Sequence, residues 1–530
     1  MALTLRFGPE KFTATADHLE ALPSGYLLNG AYIKIQLPET PKSCYRHGWQ
    51  SWSLAAWQDP AQAVPVPRPA ILNPMQNDPV YIHDPHPNGS WVGAVEFEGG
   101  IVLLLGALGL ETHVRLDGRE LHAWSETGPC DWFAVYGPEP HAFADYAARL
   151  GERFGRGRAE STPRVWCSWY SLYTEIDEKR LLDILAEWGD TSFDVFQVDD
   201  GWQRAIGDWE ANEKFPSGMD GMAARIRESG RRAGLWLAPL LAAPSSELYR
   251  QHNDWLLRDE KGRLVSAGFN WNEQLYALDT THPEALAWLA GLMKKVRGWG
   301  YDYIKLDFLY AGALPGERHT GAPREQAYRQ GLGVIREALG EAYFLACGAP
   351  VVPSIGLCDA LRVGPDVAGY WDSRRDDLLL LNPATPGTRN AIRTTVNRLW
   401  LGPLVHTDPD VAYFTSHNAS LSDDQKRLLQ DLALVCDYRA TSDLPGWLDE
   451  GQRAALAGFL ANRPRVERSG RYTFTLDGRP VDFSPAMPLP GSPSTLQKIS
   501  GALLGRAASS PLVLKVNNWL EKRTLKKTLE

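Results

Sequence analysis

The chain has little of what would tie a protein to a metal, a membrane or a nucleic acid. Its six cysteines (Cys44, Cys130, Cys167, Cys347, Cys358 and Cys436) are dispersed, with no CxxC pair. They read as reduced thiols of a cytoplasmic protein, not as a disulfide framework or a zinc site. No basic cluster runs longer than a few residues and the formal net charge is -9, which disfavours a nucleic-acid backbone or an anionic membrane as partner. The longest apolar run, Ile101 to Leu110, is too short to span a bilayer. The N-terminus, Met1-Ala-Leu-Thr-Leu-Arg-Phe-Gly8, lacks the charged-then-apolar layout of a signal peptide. No internal repeat of about 20 to 50 residues is visible. A neutral small molecule fits these exclusions.

What is present is globular. With 530 residues, 44% hydrophobic and 22% charged, two or three domains are expected. Twenty tryptophans are many for this length; many must be core, but flat indoles also stack on the C–H faces of sugars. Residues 1–155 carry short strand-like segments such as Tyr32–Leu37, Ser90–Phe97 and Gly100–Leu105, punctuated by Gly, Pro and Asn, with no long amphipathic helix before Glu139–Phe154. This pattern predicts an N-terminal β-sandwich. Within it Gly48-Trp-Gln-Ser-Trp-Ser53 sets two tryptophans three apart in a polar, loop-like stretch, either as core or facing a sugar.

From Arg164 the pattern becomes strand, loop, helix, repeated. Strands are expected at Val165–Tyr170, Phe193–Asp200, Gly234–Pro239, Tyr303–Phe308, Tyr343–Gly348, Ala360–Val363 and near Leu401–His406, with a final helix–strand pair near Gln425–Tyr438. Helices are expected near Asp177–Trp188 and Met219–Ala233, and at Pro283–Trp299, Arg324–Leu339 and Thr388–Trp400. A shorter run, Leu275–Asp279, falls in a long insertion. No GxGxxG follows the first strand, so residues 156–460 fit one (β/α)8 barrel better than a doubly wound sheet. Residues 461–530 form a small β-rich tail: a strand at Arg471–Leu476, a Pro-rich linker over Ser484–Pro493, and a Lys-rich end. The expected class is α/β, a TIM barrel with an N-terminal sandwich and a small C-terminal β region.

The chemistry centres on Gly300-Tyr-Asp-Tyr-Ile-Lys-Leu-Asp-Phe-Leu-Tyr310. Lys305 and Asp307 interrupt an apolar strand, and at period two they point to one side. Burying one charge alone costs several kcal/mol, so they mark either a site or a structural ion pair. Other polar and aromatic residues collect at successive strand ends, where a barrel opens its mouth. These are Trp169 and Tyr170, then Asp199, Asp200 and Trp202, then Trp236, then Cys347 and Gly348, then Arg362 and Asp366. Two spaced carboxylates ringed by aromatics, without metal-type histidines, suggest glycoside hydrolysis. Asp307, beside Lys305, suits the ionised nucleophile. Asp366, after Gly364-Pro365, suits the proton-exchanging partner. The Asp199-Asp200 pair suits binding of several hydroxyls, or else a helix N-cap.

The chain resembles the glycoside hydrolase family 36 α-galactosidases of the compact bacterial type, over roughly residues 40–470. The resemblance rests on Gly48–Ser53, Trp166-Cys-Ser-Trp-Tyr170, Phe196-Gln-Val-Asp-Asp200, Tyr276-Ala-Leu-Asp279, Lys305-Leu-Asp-Phe-Leu-Tyr310, Ala311–Arg318, Cys347-Gly348, Arg362-Val-Gly-Pro-Asp366 and Asp408-Pro-Asp410. It implies Asp307 as nucleophile and Asp366 as acid/base, with Asp199, Asp200, Lys305 and Arg362 binding galactosyl hydroxyls. It further implies Trp236 and Trp169 as a sugar platform, Trp52 reaching in from the N-terminal domain, and Cys347 and Gly348 lining the pocket. Gly201-Trp202, His406-Thr407 and the tail after Ser484 depart from the family pattern and bear on aglycone preference and domain completeness. The expected function is a retaining, exo-acting α-galactosidase on substrates such as melibiose and raffinose, needing no cofactor or metal. Homo-oligomerisation stays open. The alternatives are another α-glycoside specificity or transfer to a sugar acceptor. A divalent-metal hydrolase using Asp199, Asp200, Asp307 and His406 is disfavoured by the Lys305 ammonium, and a catalytically dead sugar-binding protein is a third class.

Overall fold

The computed structural model describes residues 2–62, 70–372 and 382–489, with the isolated positions Ser510 and Lys515. The expected Pro-rich linker beyond Leu489 and the Lys-rich end otherwise lie outside the described residues. The N-terminal part is a sandwich of a six-stranded and a seven-stranded antiparallel sheet. The strand Ile101–Ala107 explains the longest apolar run in the sequence. Leu103 and Leu105 point into the sandwich core, while Val102 and Leu104 belong to the larger core shared with the barrel. A strand buried on both faces needs no polar alternation. The expected strand Ser90–Phe97 is split in two, Asn88–Ser90 and Val92–Glu96, by Trp91 at φ 64°.

Eight parallel strands make the barrel: β1 Arg164–Cys167, β2 Val195–Val198, β3 Arg232–Leu237, β4 Tyr303–Leu306, β5 Tyr343–Ala346, β6 Ala360–Arg362, β7 His406–Asp408 and β8 Arg439–Thr441. Strands β1 to β7 pair in sequence order, and β8 pairs with β1. On the remaining side the chain just past β7 reaches β8, where Ala412 N donates to Ala440 O at 2.8 Å. The fold is thus the expected α/β barrel with a sandwich in front. Helices Glu139–Phe154, Pro283–Trp299 and Arg324–Leu339 fall where the apolar periodicity sets them.

Several expected boundaries are corrected. The strand written through Tyr170 stops at Cys167, because Ser168 turns into a short helix, Trp169–Leu172. The helix expected to reach Ala233 ends at Glu228, where Ser229 and left-handed Gly230 (φ 80°) close it. Thr388–Trp400 is helical only to Val396. Gly402-Pro403 ends the turn Leu399–Leu401, and the strand follows at His406–Asp408 instead of Leu401–His406. In the expected final helix–strand pair the helix is Asp423–Val435, starting at a Ser422–Gln425 capping box, and the strand is Arg439–Thr441; a further helix, Glu450–Ala461, follows. In the insertion, Glu273–Ala277 joins Ser266–Asn270 and Leu241–Ala242 in a separate antiparallel sheet. The tail strand is Thr473–Leu476, paired to Val466–Arg468 and Arg479–Asp482.

Sandwich and barrel are fastened by buried charges at the start of helix Arg324–Leu339. Arg324 grips Asp78 with both guanidinium nitrogens (2.9 and 2.8 Å) and lies over the Trp49 ring, 5.1 Å from its centroid. The neighbouring Glu325 accepts from Trp49 Nε1, Trp91 Nε1 and Glu111 N at 2.9, 3.0 and 2.7 Å. Glu111 returns the bond by accepting Glu325 N at 2.6 Å. Arg324→Ala strands Asp78 in the interior, so stability should fall by about 3–5 kcal/mol, read from urea unfolding at unchanged slope. A loss under about 1 kcal/mol would show that the pair fastens nothing.

Candidate active site

The mouth of the barrel holds a cavity of about 190 Å³ lined by residues from both domains. Asp199 and Asp200 follow β2, Trp236 lies in β3, Lys305 lies in β4, Asp307 and Phe308 follow it, and Pro365 and Asp366 follow β6. Trp169 enters from the turn after β1, Trp52, Met75 and Gln76 from the N-terminal part, and Asn270 and Trp271 from the insertion. The expected carboxylates Asp199, Asp200, Asp307 and Asp366 therefore meet, as the strand ends require. Tyr170, Trp202, Cys347, Gly348 and Arg362 stand behind this lining, not in it.

Lys305 and Asp307 do share a face, but the ion pair is a different one. Lys305 Nζ donates to Asp199 Oδ2 at 3.0 Å, with both side chains buried. Gln197 Nε2 donates to the same oxygen at 2.5 Å and Cys167 Sγ at 3.4 Å. Burial alone would lower the Lys305 pKa, yet the Asp199 and then the Asp307 carboxylate outweigh it and hold the ammonium well above the ordinary lysine range. Asp307 itself is gripped by neutral donors: Trp236 Nε1 at 3.0 Å on Oδ2 and Phe308 N at 2.8 Å on Oδ1. Phe308 takes φ 53°, a left-handed backbone that a bulky residue adopts at a cost. So Lys305 acts on Asp307 through the field, not by contact.

Asp199-Asp200 caps no helix. Gly201 turns the chain at φ 119° into a hairpin, Gln203–Ala205 with Asp208–Ala211. Asp200 accepts Gln203 Nε2 at 2.6 Å and Trp271 Nε1 at 2.7 Å. Burial still pushes its carboxyl up to about 6, against those two bonds and with the help of Asp199. Trp271 escaped sequence reasoning. It sits in the two-residue turn Trp271-Asn272, both at positive φ (50° and 61°), which carries the insertion hairpin tip into the cavity. Asn270 and Asn272 signal a turn, but nothing local says that its indole meets Asp200 from so far along the chain.

Asp366 keeps a third of its side-chain surface open. Burial raises its pKa, Arg362 opposes, and the Asp307 charge raises it further, so the net direction is up. Arg362 is shared: Nε donates to Asp408 Oδ2 at 2.8 Å, and Nη1 reaches Asp410 at 2.8 Å and Asp366 at 3.1 Å. Tyr170 Oη donates to Asp410. Burial pushes Asp410 up to about 7, with Arg362 opposing and Asp366 and Asp408 adding to the rise. Arg362 and Tyr170 thus hold the carboxylates behind Asp366. Asp408 and Asp410 were visible as a motif, but their place under Asp366 was not.

Trp52 closes the cavity from the sandwich side while being 8% exposed. Its ring meets Phe308 edge-on at 5.2 Å and Tyr310 at 6.1 Å. Gly348, at φ 52°, leaves it room, since a Cβ there would lie 2.9 Å from Trp52 Cη2 and 3.0 Å from Phe308 N. The indole Nε1 is buried with no hydrogen-bond partner. Cys347 is fully buried with its thiol pushed up by burial first and then Asp307, which leaves it un-ionised. His406 packs against Tyr343, whose Oη lies 3.0 Å from Nδ1, away from this cavity. Among the described residues no cluster of His, Cys, Asp and Glu has the layout of a metal site.

A model of the melibiase family matches residues 146–343. TtGalA, an α-galactosidase from Thermus thermophilus solved with p-nitrophenyl α-D-galactopyranoside, is 47% identical at a TM-score of 0.88. That alignment covers 92% of this chain and 100% of that one. The chain belongs to the glycoside hydrolase family 36 α-galactosidases. The α-galactosidase AgaA of Geobacillus stearothermophilus is 32% identical over 206 residues, 36% of this chain and 27% of that protein. The matched stretches span about a quarter of the first curated relatives' length. The crystal structure of AgaA shares the fold at a TM-score of 0.56 and 16% identity, over 85% of this chain and 65% of that one.

Proposed function

We propose that the chain is a retaining, exo-acting α-galactosidase that releases terminal α-galactosyl residues from oligosaccharides such as melibiose and raffinose. The observation that carries this reading is that Asp307 and Asp366 line one small cavity in opposite surroundings. Asp307 is held by an indole N–H and a backbone N–H, with the Lys305 ammonium in its field. Those donors stabilise the carboxylate, which attacks the anomeric carbon. Asp366, pushed towards its protonated form, gives its proton to the glycosidic oxygen as that bond breaks. In the second step the Asp366 carboxylate takes a proton from water, whose oxygen displaces Asp307 and restores the α configuration. Asp199, Asp200 and Lys305 offer acceptors and a donor for galactosyl hydroxyls, and Trp236, Trp169, Trp271 and Trp52 offer apolar faces.

Residues 1–155 are read as the sandwich domain, 156–460 as the catalytic barrel and 461–530 as a C-terminal region. We place the enzyme in the cytoplasm on its dispersed thiols, and no described helix is long and apolar enough to cross a membrane. A panel of aryl α-glycosides carrying galactose, N-acetylgalactosamine, glucose and xylose tests the specificity. Galactose should lead in kcat/KM by at least about tenfold, the usual reward for correctly paired hydroxyls in a buried site. Preference for N-acetylgalactosamine or glucose would overturn the reading.

If Trp52 walls the galactosyl pocket, Trp52→Ala should raise KM about tenfold or more, about 1.4 kcal/mol of binding, in addition to the stability lost with its Phe308 and Tyr310 contacts. An unchanged KM with a stability loss of about 3–5 kcal/mol returns this residue to the core.

A further inference from the structure

The segment Gly48–Ser53 leaves the sandwich strand Ser43–His47 and enters the barrel mouth, where Trp52 closes the cavity. It is moored there by backbone bonds: Ser51 N donates to Ala349 O at 3.0 Å, and Ala349 N donates to Ser51 Oγ at 3.0 Å. Val351 N donates to Trp49 O at 3.0 Å, Trp49 Nε1 to Glu325 at 2.9 Å and Ser53 Oγ to Gln76 O at 2.8 Å, and one further side chain takes most of the segment's carbonyls. Arg398, which follows helix Thr388–Val396 and is fully buried, spends its guanidinium on backbone carbonyls. Nη1 donates to Ser51 O at 2.6 Å and to Val363 O at 3.1 Å. Nη2 donates to Gly48 O, Gln50 O and Ser53 O at 2.8, 3.0 and 3.0 Å.

A buried cation is ordinarily matched by an anion. Among the described residues no carboxylate pairs with Arg398, and burial pushes it down to about 10, with only Tyr45 opposing. The charge is met by backbone carbonyl dipoles, four from Gly48–Ser53 and one from Val363, so displacing the loop would leave the buried cation poorly solvated. Val363 stands three residues before Asp366. The same guanidinium nitrogen therefore joins the segment that carries Trp52 to the segment that carries the proposed acid/base. A lysine, with three donors on one nitrogen, cannot span both sets as the planar fork does.

We infer that Arg398 is a positioning residue, fixing Gly48–Ser53 against Val363 so that Trp52 stands over the pocket beside Asp366. This rests on the reading of the cavity as the galactosyl site. The test is a double-mutant cycle with p-nitrophenyl α-galactoside. Arg398→Lys should raise KM about tenfold, as Trp52→Ala does, with kcat changing less than about threefold. In the Trp52→Ala background the same substitution should move KM less than about twofold, because its effect runs through the absent indole. Equal factors in both backgrounds would overturn the inference. Where Arg398→Lys does not fold, Arg398→Gln removes the buried charge, keeps a planar N–H donor and carries the same cycle. Hydrogen exchange provides a readout that needs no turnover: amides of residues 48–53 should exchange at least about tenfold faster in either variant. Unchanged exchange overturns the positioning role even if activity falls. If the wild-type chain cleaves no galactoside, the function reading fails while the exchange result still decides this one.

Discussion

Asp307→Ala should abolish turnover of aryl α-galactosides by at least about 10⁴-fold, the scale on which a covalent nucleophile is missed. The fold should survive, because Asp307 is not the partner of a buried ion pair. Lys305 keeps its bond to Asp199, and the donors released, Trp236 Nε1 and Phe308 N, face a cavity that admits water. This separates Asp307 from Asp199, whose removal would strand the Lys305 ammonium and cost about 3–5 kcal/mol of stability. The space left by the carboxylate, beside an ammonium and two N–H donors, is suited to a small anion. Azide should restore a measurable rate by attacking the anomeric carbon in its place. Because that attack happens once, the product should be the β-galactosyl azide, identified by NMR. An α-azide as the sole product, or no rescue with a folded protein, would remove Asp307 from the nucleophile's role.

The barrel and its polar mouth were legible because both follow from local periodicity. Apolar strands alternate with amphipathic helices, and charges break the apolar pattern where strands end. Helices Pro283–Trp299 and Arg324–Leu339 carry full apolar stripes, so their bounds could be read directly. The strands are only three to six residues long, which leaves their ends to turn chemistry; this is why Val165–Tyr170 and Leu401–His406 were misplaced. Partnerships were less legible. Period two says that Lys305 and Asp307 share a side, but not that Asp199 lies nearer the ammonium, since the distance across strands depends on barrel stagger. Trp271 and Arg398 were invisible for the same reason: each acts on residues from other elements, Asp200 in one case and Gly48–Ser53 in the other. A long insertion and a helix end give no local pattern for such contacts.

Asp366→Ala should lose activity in a way that depends on the leaving group, and this distinguishes it from every other carboxylate in the mouth. Its pKa is raised by burial first and by Asp307 next, against Arg362. The group therefore retains its proton to higher pH than a free carboxyl, and the wild-type kcat/KM for melibiose should fall as pH rises through that raised value. A dinitrophenolate leaves as a good anion and needs no proton, so glycosylation of the variant by dinitrophenyl galactoside should persist without that alkaline limb. Melibiose and raffinose, whose sugar alkoxides must be protonated, should lose about 10²–10⁴-fold. The second step loses its base for water, so stopped flow should show a burst of dinitrophenol followed by slow turnover. Azide needs no deprotonation and should accelerate that slow step, attacking the β-linked intermediate to give the α-galactosyl azide, opposite to the product from Asp307→Ala. The neighbouring Asp410, also pushed up, to about 7, is fully enclosed by Arg362, Tyr170 and the Val367 amide. It has no open face towards a leaving oxygen, so Asp410→Asn should lower activity on both substrate types by similar factors. Equal losses on both substrates in Asp366→Ala, with no burst, would move the acid/base role to another carboxylate of the mouth.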